Sequence, residues 1–192
     1  VAQGAFEALS YSFIPARAAE DLGLAADDAR RQAVPLRNPL GEEYAVLRTQ
    51  LVSSMLASLA LNVSRGVPAV RLFELDKRFV PHALPLTAQP DEQPMLCLGL
   101  TGEEEDFFTL KGMVEAVLAA CGVTGVYARS AEPYLHPGRQ ALVKANNVVA
   151  AVFGEVHPTV AESYGIETRI YVAEIKLDVL MQIKKRKTVY KP

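Results

Sequence analysis

The 192-residue chain has no tryptophan, two cysteines and three histidines. Cys97 and Cys121 lack metal-type spacing, and none of His82, His136 and His157 pairs with another His or a Cys at helical or hairpin distance. The chain therefore reads as carrying reduced thiols and no zinc centre. No apolar run approaches the roughly 20 residues that span a bilayer. Excess charge of either sign is missing too. Twenty Lys and Arg against 22 Asp and Glu leave a formal charge of −2, which gives no global electrostatic case for a nucleic acid or membrane partner. There is no Gly-x-Ser-x-Gly elbow and no glycine-rich phosphate loop, so neither nucleophilic hydrolysis nor a P-loop is indicated.

What is present suits a packed domain, since half of the residues are hydrophobic and the length fits a single core. The chain opens on Val1 without a charged-then-apolar leader and ends on the basic "KKRKTVYKP". It is expected to be one domain of something longer, with a globular part over residues 1–183 and a basic linker over 184–192.

Along the chain, "YSFIP" alternates as a strand, with Pro15 opening a short helix that Gly23 ends. Leu47, Leu51, Met55 and Leu59 recur every four residues and predict a long helix starting near Arg48 and Thr49 and stopping at Gly66. "AVRLFELDKRFVP" alternates as a strand, and "MLCLGLTG" reads as a buried one. "EEEDFFTLKGMVEAVLAACG" predicts a second helix with acids in its first turn. "HPGR" at 136–139 reads as a tight turn and "ANNVV" as a hairpin. Pro158 and Gly165 bound a short helix, with His157 at its start. The sum is an α+β fold with a mostly antiparallel sheet.

Two acid-rich stretches, "GEEYAVLRTQ" and "TGEEEDFF", read as solvated helix-start carboxylates before they read as an acid–base pair. In "YVAEIKLDVL", Glu174, Lys176 and Asp178 interrupt an apolar run at every second position. That pattern suits either an active site or the wet face of a half-buried element.

"GAFEALSYSFIP", "RNPLGEEYAVLRTQLVSSMLASLALNVSRG", "VRLFELDKRF", "DFFTLKGMVEAVL", "LHPGRQA", "FGEVHPTV" and "YVAEIKLDVL", taken together and in this order, resemble the β subunits of phenylalanine–tRNA ligases. They resemble in particular the domain that copies the class II aminoacyl-tRNA synthetase fold without its activity. The resemblance implies an antiparallel sheet flanked by helices, an α-subunit partner in an α2β2 assembly, tRNA reached through that assembly, and a cytoplasmic location. ATP and Mg would serve the parent complex, with no cofactor or metal in this segment.

Class II enzymes clamp ATP with one arginine of an Arg-x-Glu strand motif and another in a glycine-rich motif, because the planar guanidinium fork matches phosphate oxygens. Aligned here, Glu74 takes the acidic position and Leu72 that of the first arginine. Arg71 is one residue off and would point to the opposite face. Glu174 and Lys176 take glycine positions, Asp178 the acid's and Val179 the second arginine's, so these charges are expected to fill a disused pocket or to face solvent. The resemblance makes Phe6, Tyr11, Phe13 and Pro15 candidates for subunit contact, with core packing as the alternative. Arg48, Glu74, His136, Arg139 and His157 are read as structural, with Arg48 able to pair with a carboxylate such as Glu74. Lys184, Lys185, Arg186 and Lys187 would touch RNA or simply be solvated on the way to an anticodon-binding domain. The rival readings are a domain that still binds nucleotide and an RNA-binding module acting through that tail.

Overall fold

The computed structural model describes residues 2–183. A seven-stranded sheet runs in the order β1 (Phe6–Glu7), β4 (Val70–Val80), β5 (Asp91–Thr101), β9 (Ile170–Lys176), β8 (Val148–Val156), β7 (Leu135–Ala145) and β6 (Val126–Arg129). Among the described residues only β1 pairs in parallel, and every other neighbour is antiparallel. A small ribbon joins β2 (Phe13–Ile14) to β3 (Val46–Leu47). Among the described residues five α-helices accompany them: α1 (Ala18–Asp21), α2 (Val52–Ser64), α3 (Phe107–Ala120), α4 (Pro158–Ser163) and α5 (Leu177–Gln182). The α+β expectation holds. Among the described residues no helix is long and apolar enough to cross a membrane.

The sheet is sandwiched, because alternate residues of its central strands face opposite cores. Under α2, the residues Leu51, Met55, Leu56 and Leu59 pack on Leu72, Met95, Cys97 and Val172. Under α3 and α5, the residues Leu110, Val114 and Leu180 pack on Leu98, Leu100, Phe153, Ala173 and Ile175. β9 is buried on both sides for that reason. Gly99 sets how closely α2 approaches, since a Cβ there would lie 2.6 Å from Cγ and Sδ of Met55.

Three local expectations change. The long helix begins at Val52, and Leu47 lies in β3 instead, because the backbone of 46–48 is held by others: Leu47 N–H donates to Val34 (2.9 Å) and Arg48 N–H to Ser12 (2.9 Å). Glu103–Glu105 precede α3, and Asp106 is its cap, its carboxylate accepting from Thr109 N–H at 2.7 Å. "HPGR" lies within β7 as a bulge, between the Leu135–Val156 and Gln140–Gly154 pairs. There the bulged chain crosses Gly154, where a Cβ would meet Arg139 O at 2.5 Å. A parallel β1 at Phe6 was not foreseen. The hairpin at Asn146 and Asn147 is present, with φ of 49° and 65°, as a type I′ turn requires.

Candidate functional site

Two surfaces stand out, a wide groove outside α2 and a smaller polar cavity at the end of α2 on the sheet.

The groove, about 830 Å³, runs between the β2–β3 ribbon and the outer face of α2. Tyr11, Phe13 and Pro15 line one wall, and Ser53, Ser54, Ala57, Ser58 and Leu61 the other. Tyr11 is 68% exposed and packs edge-to-face on Tyr44 at 5.5 Å. Three of the four candidate contact residues thus meet in one place. Phe6, though 76% exposed, lies apart on β1 beside Leu72. The small α2 residues were not singled out from sequence, although they repeat on the helix face opposite the apolar stripe.

The polar region follows from strand register. Glu74 of β4, Cys97 of β5 and Glu174 of β9 form one cross-strand row, Asp76, Met95 and Lys176 the next, and Arg78 and Gln93 the one after. Opposed side chains in such rows are neighbours. Arg48, fully buried, reaches into the rows from the segment before α2. Its Nη1 donates to Glu74 Oε1 (2.7 Å) and Ser10 Oγ (2.9 Å), its Nε donates to Lys77 O (3.0 Å), and its Nη2 lies 2.7 Å from Asp76 Oδ2. Ser10 Oγ–H in turn donates to Glu74 Oε1 at 2.6 Å.

Glu174 accepts from the Leu51 and Val52 amides at 2.5 and 3.3 Å. These amides begin α2, so the carboxylate serves as its cap from 123 residues away in sequence. Burial pushes its pKa up, and the two amides oppose that shift. Of the two expectations for this residue, solvent exposure is overturned, because the N-terminus of α2 sits on it. Lys176 is half-buried, and burial followed by the nearby Arg78 pulls its pKa down.

The remaining positions separate. Leu72 is in the core beneath α2, whereas Val179 packs into the opposite core. Of Leu72, Glu174, Lys176 and Val179, which replace the residues of active relatives, only Glu174 and Lys176 line a common cavity among the described residues. Arg71 points the other way from Glu74 and donates from Nε to Glu105 Oε1 at 2.7 Å. Arg139 clasps Glu155 (2.6 and 2.8 Å). His136 Nδ1 accepts from Gly138 N–H (3.1 Å), and His157 Nδ1 caps α4 through Thr159 N–H (3.3 Å). Lys184, Lys185, Arg186 and Lys187 lie outside the described residues. Among the described residues no three His, Cys, Asp or Glu side chains gather as a metal site. Arg30, Arg78, Glu132 and Tyr134, which complete the cavity, were not anticipated. Strand alternation from Glu74 would have found Arg78, but no local signal marks the others.

Residues 1–177 match the model of the phenylalanyl tRNA synthetase beta chain CLM domain. Similar proteins include phenylalanine–tRNA ligase beta subunits of Clostridium acetobutylicum (39% identical over 184 residues, 95% of this chain and 23% of the relative) and Symbiobacterium thermophilum (36% over 203 residues, 100% and 22%). The corresponding subunit of Clostridium tetani is 34% identical over 184 residues. The chain spans about a quarter of the length of these relatives. With its sheet, its order of elements and this match over nearly all its length, the chain belongs to the phenylalanyl-tRNA synthetase beta chain CLM domain family.

Proposed function

We propose that the chain is a non-catalytic domain of a phenylalanine–tRNA ligase β subunit, and that its work is to hold an α subunit in an α2β2 enzyme. The observation that carries this reading is the groove, where Tyr11, Phe13 and Pro15 face a strip of small side chains on α2. An exposed Tyr11 and a half-buried Phe13 beside a helix face that a partner can approach closely form an assembly surface, since an apolar concavity of this size is otherwise left to water. In this reading residues 1–183 are one class II-like domain and 184–192 lead onward. The assembled cytoplasmic enzyme attaches phenylalanine to tRNA using ATP and Mg, with that chemistry in α.

The residues support catalytic silence. A nucleotide needs the backbone of the glycine-type strand to be approachable, yet Glu174 and Lys176 stand there and the start of α2 is seated on the first. Neither Leu72 nor Val179 can clamp a phosphate, and they face different cores. ATP does not fit the residues present.

The test uses the α subunit with the full-length β subunit, wild type or carrying Ala57→Arg, in sedimentation velocity. Ala57 is exposed, so the substitution spares the core while filling the groove. Wild type is expected to form the heterotetramer and the variant to lose at least about tenfold in affinity, as a desolvated charge at an interface centre does. Unchanged assembly by the variant would contradict the reading.

A further inference from the structure

The cavity at the end of α2, about 300 Å³, is lined by Arg30, Arg78, Glu132, Tyr134, Glu174 and Lys176, with Met95, Val149, Ala151 and Val152 as its apolar wall. Its charges are unevenly engaged. Arg30 is held by Asp28 (Nη2 to Oδ2, 2.6 Å) and Glu132 (Nη1 to Oε2, 2.7 Å) and lies over the Tyr134 ring at 5.9 Å. Arg78 donates from Nε and Nη2 to the neutral Gln93 Oε1, at 2.9 and 2.7 Å, and has no carboxylate partner among the described residues. Lys176 makes no ion pair or side-chain hydrogen bond among the described residues, although it is half-buried. Tyr134 is 2% exposed, and its hydroxyl likewise makes no hydrogen bond among the described residues.

A half-buried ammonium and a phenol hydroxyl without protein acceptors, beside a guanidinium whose only partner is a neutral amide, are better satisfied by an anion than by one another, and all three line one hollow that water-sized solutes can enter. We propose that this cavity is a binding site for a small oxyanion, a phosphate or carboxylate group, held by Arg78, Lys176 and the Tyr134 hydroxyl. A guanidinium fork and an ammonium suit either head group. The volume holds about ten waters at roughly 30 Å³ each, enough for inorganic phosphate or a small carboxylic acid and at the lower limit of ligand pockets. Two carboxylates would repel such a ligand: Glu132 is paired with Arg30, and the short bond of Glu174 to Leu51 N–H together with its burial directs that oxygen to the helix. The proposal does not rest on the assembly reading, since every residue it uses belongs to this chain.

The test is thermal unfolding of the chain titrated with sodium phosphate or sodium acetate against sodium chloride at constant ionic strength. It is made on wild type, Lys176→Met, Arg78→Gln and the control Lys144→Met, whose exposed side chain lies on β7. Phosphate stabilises proteins generally by exclusion, so the variants and not the rise alone decide. The wild type is expected to show a saturable rise in midpoint. The same curve is expected for Lys144→Met, and apparent affinity weaker by about tenfold or more for Lys176→Met and Arg78→Gln, as loss of a charged hydrogen bond gives. Saturation by phosphate alone assigns a phosphate-bearing ligand, and saturation by acetate alone a carboxylate. Saturation by neither, or curves unchanged in both cavity variants, overturns the site. Phosphorus NMR line width of free phosphate, broadened by wild type and not by Arg78→Gln, keeps the test decisive if Lys176→Met does not fold.

Discussion

The two faces of one sheet are built from the same three strands and behave differently. On β4, β5 and β9 the residues facing α3 and α5 are apolar throughout the buried zone, with Leu98, Leu100, Ala173 and Ile175 as examples. On β4 and β9 the alternate residues start apolar beneath α2 at Leu72 and Val172 and turn charged from the second residue on, at Glu74, Asp76, Glu174 and Lys176, while β5 between them stays apolar through Cys97 and Met95. The first face is held by burial of area, which is tolerant and non-directional. The second is held by named donors and acceptors, and such networks fail when one member is removed. The difference teaches that charge at every second position of a strand need not mark chemistry. Here it anchors a helix end and the segment that precedes it.

The sharpest way to break this contrast is Arg48→Met. It leaves Glu74 buried with no cation, and the expected loss is about 3–5 kcal/mol in denaturant unfolding. On the other face Leu110→Ala removes packing only, with an expected loss of about 2–5 kcal/mol that depends on how far the site collapses. Restoring volume with Leu110→Met should recover most of it. No isosteric apolar replacement of Arg48 that leaves Glu74 in place is expected to do so. Gly99→Ala pushes a methyl into the Met55 side chain, with an expected loss of about 1–3 kcal/mol, softened because Met can swing aside.

Glu174→Gln sharpens the comparison through pH. The folded-state pKa of Glu174 lies above its ordinary 4.5 because of burial, so the folded chain keeps a proton that the unfolded chain releases. Its contribution to stability is full below pH 4.5 and is lost as pH rises through the folded pKa. The glutamine variant keeps an acceptor for Leu51 N–H and has no such loss. Its stability relative to wild type should therefore increase from pH 4 to pH 7, as read by urea midpoints at each pH. A constant difference would place the carboxylate in an unperturbed setting. The smallest effect belongs to Asp106→Ala, which removes the α3 cap at an exposed end and should cost about 1 kcal/mol.

Local chemistry explains which features could be read in advance. The Asn146–Asn147 turn, the alternation of β4 and the four-residue stripe of α2 are each specified within a few residues of themselves. The start of α2 is not. Its capping carboxylate, Glu174, comes from the last strand, so the apolar period alone ran the helix four residues too early, through Arg48 and Thr49. The bulge at 136–139 resembled a turn because His-Pro-Gly suits one, and only pairing with β8 on both sides made it strand. The candidate contacts Tyr11, Phe13 and Pro15 could be named from the family resemblance, whereas the opposite wall of their groove needed the packing of the ribbon across α2. The Arg78, Lys176 and Tyr134 cavity needed three separated elements brought together, and no motif encodes it.

If the chain is the non-catalytic domain proposed above, its charged face braces the fold and the reaction lies elsewhere. The most direct test is aminoacylation of phenylalanine tRNA by the reconstituted α and full-length β enzyme carrying Lys176→Met in β, with the rate expressed per assembled heterotetramer. The prediction is a kcat within about twofold of wild type, since removing a group that does not touch the reacting atoms leaves transition-state binding unchanged. A fall of about a hundredfold or more with assembly intact, the scale of a lost electrostatic contact to the transition state, would contradict it.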